Sequence, residues 1–528
     1  MFQRISEQLK NASLPNRYAL IILIWLVLFG FYGLIAWKVL SWPVFSSPDE
    51  MANFAFSQQF EGTSQVFIPT DLPGAPRSVL NNGQNLVPGS FVFFPAMLGF
   101  TGKFFGSFGI IMLGPALAAL AVILWWHLMK KILAHKAGVW LSTIIFASFP
   151  IFWFYSSKST WQNGIFTSLL IVGIYFLTVM LKQKWWPVAV FTGLIWGIAI
   201  AIRPSEIAWL VPGLIAFWAF FRKSFSIKQI LLALISALIP VLALFALQYQ
   251  TYGKSTSFGY RSYGIFEPAP VVRSLSVFQK TKNIFFPFGT KPDVAWKNFI
   301  NYGYNNLSYL VLPGLLSLLL GFLVCKSKAV RKILISGFVG AFFLFLLYGN
   351  YKFIEYPAVG SPVLDSSYLR YWLPLYIFLI FGLSLTIDWL LSRKISKYFG
   401  YLFSLSILAI SLFIIFQNNE VGLLKIWPRI EDWQQTSKWL VENTPANAVI
   451  MAGPNDKIIF PRRHCIGFNW TIPKSDQLLN IDTKKIPVFM ILNNSGQIQT
   501  AERNLAGYSL QTLDVGPNGQ VLVRISAL

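Results

Sequence analysis

Long apolar segments recur along most of this chain of 528 residues, and they constrain its fold more than any other feature. An α-helix needs about 20 apolar residues to cross a bilayer, and eleven segments approach that length. They lie at residues 18–40, 108–129, 137–155, 161–181, 186–203, 206–221, 229–249, 306–325, 332–350, 371–391 and 398–417. We therefore expect an all-α polytopic membrane domain with about eleven transmembrane helices.

Composition agrees with a surface that faces mostly lipid. Hydrophobic residues make up 55% of the chain and charged residues only 12%, whereas soluble domains carry about 25% charged residues. So few charges cannot cover a surface that faces water. The composition therefore excludes a soluble fold for most of the chain.

The distribution of basic residues predicts the orientation. The net charge is +23, and six short segments between apolar runs hold 18 of the 43 basic residues but only one acid, Glu7. These segments are 1–17, 130–136, 182–184, 222–228, 326–332 and 393–397. The positive-inside rule places them in the cytoplasm. The basic excess then reflects topology and contact with anionic membrane lipids, and no nucleic acid partner is expected. We expect a plasma-membrane protein with a cytoplasmic N-terminus and an uncleaved first helix.

Three longer segments should then lie on the outer face, at about 41–107, 250–305 and 351–369. Within the first, Leu86–Phe100 is apolar but short and contains Pro88 and Pro95, so we expect an interfacial or re-entrant helix there. From about residue 419 the chain has 11 basic and 9 acidic residues, an ordinary soluble mixture. The predicted division is a transmembrane domain at 1–418 and a small extracytoplasmic α/β domain at 419–528.

The predicted elements of the C-terminal domain are a helix at 429–442 and several β-prone runs separated by Gly, Pro and Asn. The runs are Ala448–Met451, Lys457–Phe460, Val488–Leu492 and Val521–Ile525.

The first outer segment begins with an acidic pair. Ser47-Pro48-Asp49-Glu50 opens an amphipathic stretch, and it has the pattern of a helix cap with Pro at the first helical position. Capping alone would explain these acids. A capped helix would also hold a carboxylate rigidly at the membrane surface, so Asp49 and Glu50 are candidate catalytic residues.

Basic residues at the ends of predicted helices are the second group of candidates. Arg203 ends the apolar run Gly193–Ile202, and Arg370 opens the helix at 371–391. Either could simply extend to the lipid headgroups. A guanidinium also binds phosphate bidentately, so we consider both as phosphate ligands, with Lys158 as a weaker candidate. For Arg261, Arg273, Lys280 and Lys282 in the second outer segment, we expect solvated loop charges.

Other chemistries have no support in the sequence. It contains no nucleotide-binding phosphate loop and no serine nucleophile elbow. With three histidines, and with His464-Cys465 lacking metal-ligand spacing, we expect no zinc site and assign no metal ligand. Asp388, near the inner end of a helix, is expected to cap a helix end rather than relay protons.

Four short motifs resemble those of the GT-C glycosyltransferases, the class that includes protein O-mannosyltransferases and bacterial aminoarabinose transferases. They are Pro48-Asp49-Glu50, Gly193–Pro204 with its final Arg-Pro, Tyr368-Leu369-Arg370-Tyr371-Trp372-Leu373-Pro374 and Asn443-Thr444-Pro445-Ala446-Asn447-Ala448-Val449. The chain departs from many members of this class at Trp161-Gln162-Asn163, where they carry an acid. A second catalytic or metal-binding acid is therefore in doubt.

The resemblance implies transfer of a sugar from a polyprenyl-phosphate carrier to an acceptor hydroxyl on the outer face. The leaving phosphate needs cationic stabilisation, which Arg203 and Arg370 could supply. Asp49 could act as general base, with Glu50 in support, and a single displacement would invert the anomeric carbon. The sugar, the acceptor class (protein, lipid or glycan) and any requirement for a divalent metal stay open.

Three other functions compete with this interpretation. A transporter or lipid flippase would need ionisable residues near the membrane midplane, whereas charges here cluster at helix ends and in loops. A glycan polymerase or ligase would suit the basic second loop, but it does not explain the acidic pair. In the third alternative, the membrane helices are only an anchor for an active C-terminal domain.

Overall fold

The computed structural model describes residues 14–158, 160–259, 287–325, 327–352, 368–419, 422–467 and 481–528. Arg261, Arg273, Lys280 and Lys282 lie outside these ranges. The described residues form two compact units. We call residues 14–34, 114–242 and 287–425 the helical unit, and residues 35–113, 243–259 and 426–528 the mixed unit. The predicted boundary at 418/419 stays a prediction.

Helices form most of the described structure. In chain order they are α1 (Leu14–Leu40), α2 (Pro48–Thr63), α3 (Phe93–Ile132), α4 (Lys136–Ala147), α5 (Pro150–Ser157), α6 (Gln162–Lys182), α7 (Trp186–Ile202), α8 (Ile207–Phe221), α9 (Ile227–Tyr252), α10 (Pro292–Asn298), α11 (Asn305–Val324), α12 (Lys328–Gly349), α13 (Leu373–Leu391), α14 (Ser396–Gln417), α15 (Leu423–Glu442), α16 (Asp456–Ile459) and α17 (Ile498–Asn504). Single helical turns at Pro204–Glu206 and Leu369–Trp372 precede α8 and α13.

The prediction of a polytopic membrane protein is confirmed. Within the described ranges, nine helical segments are long and apolar enough to cross a bilayer, and α4 with α5 gives a tenth, bent by 52°. The apolar helix α7 has 17 residues. Each of the eleven predicted segments is therefore helical, and the chain is an integral membrane protein.

The stretch Leu86–Phe100 differs from the prediction. Its first residues belong to a strand that ends at Pro88, and its last residues begin the 40-residue helix α3. Pro95 fits the first turn of α3 because the N–H groups there have no partner within the helix. Gly106, with φ 59° and ψ −151°, interrupts α3.

Small residues bring the helices of the helical unit together. A Cβ atom at Gly193 or Gly197 would lie 2.1 or 2.4 Å from the carbonyl oxygens of Ala233 and Ala237. These glycines, four residues apart on α7, thus allow close packing against α9. Arg203 is the C-cap residue of α7.

Asp388 on α13 caps another helix. Its carboxylate accepts hydrogen bonds from the backbone N–H groups of Ala134, at 2.9 Å, and His135, at 2.8 Å, just before α4. These amides would otherwise be unsatisfied at a helix start. Capping of a helix end was expected for Asp388, and its carboxylate does cap the start of α4.

The mixed unit contains two sheets. Strands β1 (Ile68–Pro69), β2 (Val79–Asn81) and β3 (Asn85–Pro88) form an antiparallel sheet in the order β1-β3-β2. Strands β4 (Val449–Ala452), β5 (His464–Ile466), β6 (Val488–Leu492), β7 (Tyr508–Val515) and β8 (Val521–Ala527) form a second sheet, ordered β5-β4-β6-β8-β7. Strands β5, β4 and β6 are parallel to one another. Strand β8 is antiparallel to both of its neighbours, β6 and β7. The predicted small α/β fold is confirmed.

Individual C-terminal elements were predicted with mixed success. Helix α15 ends at Glu442 as expected, and β4, β6 and β8 match their predicted runs. The predicted strand Lys457–Phe460 is wrong, since Asp456–Ile459 is the helical turn α16. A buried apolar run this short does not distinguish helix from strand. The edge strand β7 was missed because most of its residues are exposed.

Candidate functional site

The acidic pair stands at the start of α2 in the mixed unit. Ser47 is the N-cap residue, with extended backbone angles, and its hydroxyl accepts a 3.2 Å hydrogen bond from the Asp49 N–H. Pro48 occupies the first helical position, where a missing N–H costs nothing. The predicted cap is therefore present, and it uses Ser47 rather than the side chain of Asp49.

The two acids have different environments. Glu50 is only 2% exposed, and its Oε2 accepts a 2.8 Å hydrogen bond from Ser46 Oγ. Asp49 is half-buried, and its Oδ1 accepts a 2.6 Å hydrogen bond from Ser78 Oγ. Asp49 is thus the more accessible of the two acids, whereas Glu50 is buried.

Ser78, which the sequence did not single out, has a strained backbone. Its φ is 62°, in the left-handed region that non-glycine residues rarely adopt. Its carbonyl accepts a 2.9 Å hydrogen bond from Gly89 N, and β2 begins at the next residue. Such outliers cluster at functional sites, so the contact with Asp49 merits a test.

The three predicted cations belong to the helical unit, and Arg203 there has a counter-ion. Arg203 is 4% exposed; its Nε donates to Glu206 Oε1 at 2.7 Å, and its Nη2 lies 2.6 Å from the same oxygen. Tyr348 OH also donates to Glu206 Oε1, at 2.6 Å, and Trp209 Nε1 donates to Oε2. A buried carboxylate therefore offsets the charge of Arg203.

Arg370 lies between aromatic rings on the single turn before α13. Its guanidinium carbon is 4.1 Å from the centroid of Trp161 and 5.2 Å from that of Tyr371. Asn163 Nδ2 donates to the carbonyl of Arg370 at 3.1 Å. Trp161 and Asn163 thus hold a candidate phosphate ligand in place.

Tyr371 brings the two arginines together. The guanidinium carbon of Arg203 is also 5.2 Å from the Tyr371 centroid, and Tyr371 stacks on Tyr348 at 4.8 Å. Arg203 and Arg370 therefore both lie beside Tyr371, which the sequence analysis did not single out, and their binding of phosphate stays a prediction. Glu206 was missed as well, although its spacing of three residues from Arg203 was a possible signal.

Lys158 and Tyr351 are further polar groups of the helical unit. Lys158 is 7% exposed, and its Nζ is 3.9 Å from the centroid of Phe154. The ring of Tyr351 is 6.4 Å from that of Tyr371. Burial, then Tyr371, raises the pKa of Tyr351 to about 12, with Arg370 opposing. Tyr351 is therefore an O–H donor at neutral pH.

An apolar cavity of about 220 Å³ lies within the helical unit. Residues of α8, α12 and α13 line part of it, among them Trp209, Leu344 and Pro374. Trp209 also donates to Glu206, so the cavity wall shares a residue with the Arg203 ion pair. Within the described ranges, no group of three or more His, Cys, Asp and Glu residues could hold a metal ion.

Comparison with known proteins gives fold-level similarity. No protein-family model and no curated protein matches the sequence. The chain resembles ArnT from Cupriavidus metallidurans in the apo state, at 12% identity and a TM-score of 0.50 over 95% of this chain and 97% of that one. It also resembles the Archaeoglobus fulgidus oligosaccharyltransferase solved with Zn and sulfate, at 12% identity and a TM-score of 0.50 over 95% of this chain and 72% of that one. The chain therefore has the fold of the GT-C glycosyltransferases, the class of both proteins.

Proposed function

We propose that this protein is an integral membrane glycosyltransferase. It moves a sugar from a polyprenyl-phosphate carrier to an acceptor hydroxyl on the outer face of the plasma membrane. The observation that carries the proposal is Asp49, a half-buried carboxylate at a capped helix start whose Oδ1 is oriented by Ser78. The GT-C fold and the arginines grouped around Tyr371 agree with it.

The donor side uses cations held in an apolar environment. Arg370 is the leading phosphate ligand because aromatic faces fix its guanidinium group, which can bind phosphate in a bidentate manner. Arg203 is the second cation, but the ion pair with Glu206 offsets its positive charge. Lys158 and the O–H group of Tyr351 are further candidates. The nearby apolar cavity suits part of a polyprenyl chain.

The chemical step is a single displacement. The acceptor oxygen attacks the anomeric carbon as its proton passes to the Asp49 carboxylate. The bond between the anomeric carbon and the phosphate oxygen breaks, and its electron pair leaves with the polyprenyl phosphate. The anomeric configuration is inverted. The new negative charge forms on the phosphate, where fixed cations stabilise it. Glu50, buried and bonded to Ser46, supports the helix start.

Sugar transfer by the full-length protein tests this proposal. The purified protein in lipid nanodiscs would be given polyprenyl-phosphate hexoses and pentoses with protein, lipid and glycan acceptors. Asp49→Asn keeps the shape of the side chain but cannot take the proton, and loss of a general base costs about 10²–10⁴-fold in rate. Glu50→Gln is the matched control and should be milder. Near-normal transfer by a folded Asp49→Asn protein would remove Asp49 from the mechanism.

A further inference from the structure

Asp456 in the C-terminal region makes several hydrogen bonds with Arg77, which lies in the loop between β1 and β2. Asp456 is fully buried, and it accepts four hydrogen-bond contacts from Arg77. The backbone N of Arg77 is 2.8 Å from Oδ2, its Nε is 3.0 Å from Oδ2 and 3.2 Å from Oδ1, and its Nη2 is 2.6 Å from Oδ1. Arg77 Nη2 also donates to the carbonyl of Pro454 at 3.0 Å. Both the backbone and the side chain of Arg77 are thus fixed.

This contact continues directly to the acidic pair. Ser78 follows Arg77 in the chain, and its hydroxyl donates to Asp49 Oδ1 at 2.6 Å. The φ of 62° at Ser78 is a conformation that its surroundings must impose. The contact between Arg77 and Asp456 is immediately adjacent and can impose it. Asp456, Arg77, Ser78 and Asp49 therefore form one continuous connection.

Lys457, the next residue of α16, contacts Ser46, the hydrogen-bond partner of Glu50. Its Nζ donates to the carbonyl of Ser46 at 2.8 Å, and it lies 4.7 Å from the centroid of Trp433 on α15. Ser46 in turn donates from its hydroxyl to Glu50 Oε2 at 2.8 Å. Consecutive residues of one short helix thus support Asp49 through Ser78 and Glu50 through Ser46.

The residues before the acidic pair, Trp42 and Pro43, also contact the C-terminal region. Ser437 on α15 accepts a 3.0 Å hydrogen bond from Trp42 Nε1 and donates to the carbonyl of Ile458 at 2.6 Å. Arg462 Nη1 donates to the carbonyl of Pro43 at 3.0 Å, and its guanidinium carbon lies 4.2 Å from the centroid of Trp42. The segment before the acidic pair is therefore attached to the C-terminal region at several points.

We propose that Asp456 and Lys457 are positioning residues for the acidic pair, so that the C-terminal region sets the geometry of the catalytic base. This inference rests on the proposed function of Asp49. It gives the C-terminal region a role in the rate of the chemical step. Binding of the donor should be largely unaffected, because the proposed phosphate ligands lie in the helical unit.

Asp456→Asn tests the proposal most directly. All the Arg77 groups that face Asp456 are donors, and an amide offers one acceptor oxygen and a donor NH₂ group. Arg77 and Ser78 must then shift. Small misplacements of catalytic groups can cost about 100-fold in rate, so we expect kcat to fall by about 10- to 100-fold with donor KM within about twofold. Lys457→Met, which keeps the apolar stem over Trp433, should lower kcat less.

Arg463 provides a matched control within the same region. It donates to Thr444 Oγ1 at 3.2 Å and to the carbonyls of Val441 and Thr444 at 2.7 Å each. Arg463→Met should lower the thermal midpoint without lowering kcat. For Lys457→Met the control is Lys438→Met, which removes a lysine that lies over Trp42 at 5.6 Å.

Double variants separate positioning from stability. If Asp456 acts through Ser78, the kcat loss in Asp456→Asn with Ser78→Ala should be close to that of the more damaging single variant. The losses in Lys457→Met with Ser78→Ala should multiply, because these residues act on different acids. If Asp456→Asn misfolds, the kcat of Lys457→Met decides the test.

The outcomes distinguish the inference from the proposed function. Normal kcat in Asp456→Asn and Lys457→Met, beside an inactive Asp49→Asn, would overturn the positioning role and leave the function intact. Multiplicative losses for Asp456→Asn with Ser78→Ala would also overturn it. Near-normal sugar transfer by Asp49→Asn would remove Asp49 as the base, and the positioning proposal with it, although the transfer itself would support the glycosyltransferase function. Failure of the wild-type protein to transfer any of the sugars would overturn that function.

Discussion

The hydroxyl of Ser78 donates a 2.6 Å hydrogen bond to the carboxylate of Asp49, and Ser78 does so from a left-handed backbone conformation with φ 62°. A non-glycine residue in that conformation costs roughly 1–2 kcal/mol. The strained residue, Ser78, is therefore the one that contacts the proposed catalytic base. The hydrogen bond and the backbone strain can be separated by substitution.

Ser78→Ala and Ser78→Gly should both lower kcat, because each removes the hydrogen bond to Asp49. Hydrogen bonds to charged groups contribute about 1.5–3 kcal/mol, so we expect a loss of about tenfold or more. The two variants should differ in stability, since glycine adopts positive φ without strain. Ser78→Gly should therefore melt at a higher temperature than Ser78→Ala. The measurements are initial rates of sugar transfer and thermal midpoints. Wild-type kcat in both variants would show that the hydrogen bond is not needed.

Much of the fold was predictable because lipid imposes a simple local rule. Segments such as 229–249 are apolar over the length of a span, and each is helical in the structure. Arg203 and Arg370 became candidates because they border apolar runs, and Asp49 because it belongs to a helix-cap pattern; their roles stay predictions. The sequence does not encode their partners locally. Ser78 lies 29 residues after Asp49, and Arg77 lies 379 residues before Asp456. Such contacts depend on the tertiary fold, so no local pattern predicts them.

The orientation of the protein can be tested with reporter fusions at Lys131, Lys223 and Leu528. The basic segments around Lys131 and Lys223 should be cytoplasmic under the positive-inside rule, and Leu528 should be outside. A reporter active only in the cytoplasm should work at the first two positions, and a reporter active only outside should work at Leu528. A cytoplasmic Leu528 would contradict the proposed topology, and the acidic pair would then be assigned to the wrong face.

His464 should make stability depend on pH. Burial lowers its pKa below the ordinary 6.5, and the hydrogen bond to Pro73, followed by Asp71, opposes this effect. Since the unfolded chain then binds the proton more readily, the free energy of unfolding should fall as pH drops below about 6.5 towards the folded pKa. His464→Gln keeps a donor for the Pro73 carbonyl and cannot titrate. Between about pH 7.5 and 5.5, the wild-type thermal midpoint should fall more than that of the variant. Equal decreases in the two thermal midpoints would exclude His464 as a source of the pH dependence.

The arginines around Tyr371 should respond differently to substitution. Arg370→Met keeps apolar contact with Trp161 but removes the cation. Loss of a charge-assisted hydrogen bond to the carrier phosphate should raise donor KM by about tenfold or more, with little change in thermal midpoint. Arg203→Met instead leaves Glu206 buried beside Tyr348 without its counter-ion, and breaking a buried pair costs about 3–5 kcal/mol. Its first effect should be on stability.

A double variant isolates the role of Arg203 in donor binding. Arg203→Met with Glu206→Leu removes both charges, and replacing a buried pair by apolar residues is often neutral for stability. The thermal midpoint should return towards the wild-type value. If Arg203 also binds the carrier phosphate, donor KM should stay several-fold above wild type in this stable protein. If donor KM recovers together with stability, Arg203 only supports Tyr371 and its neighbours, and Arg370 remains the principal candidate for the phosphate.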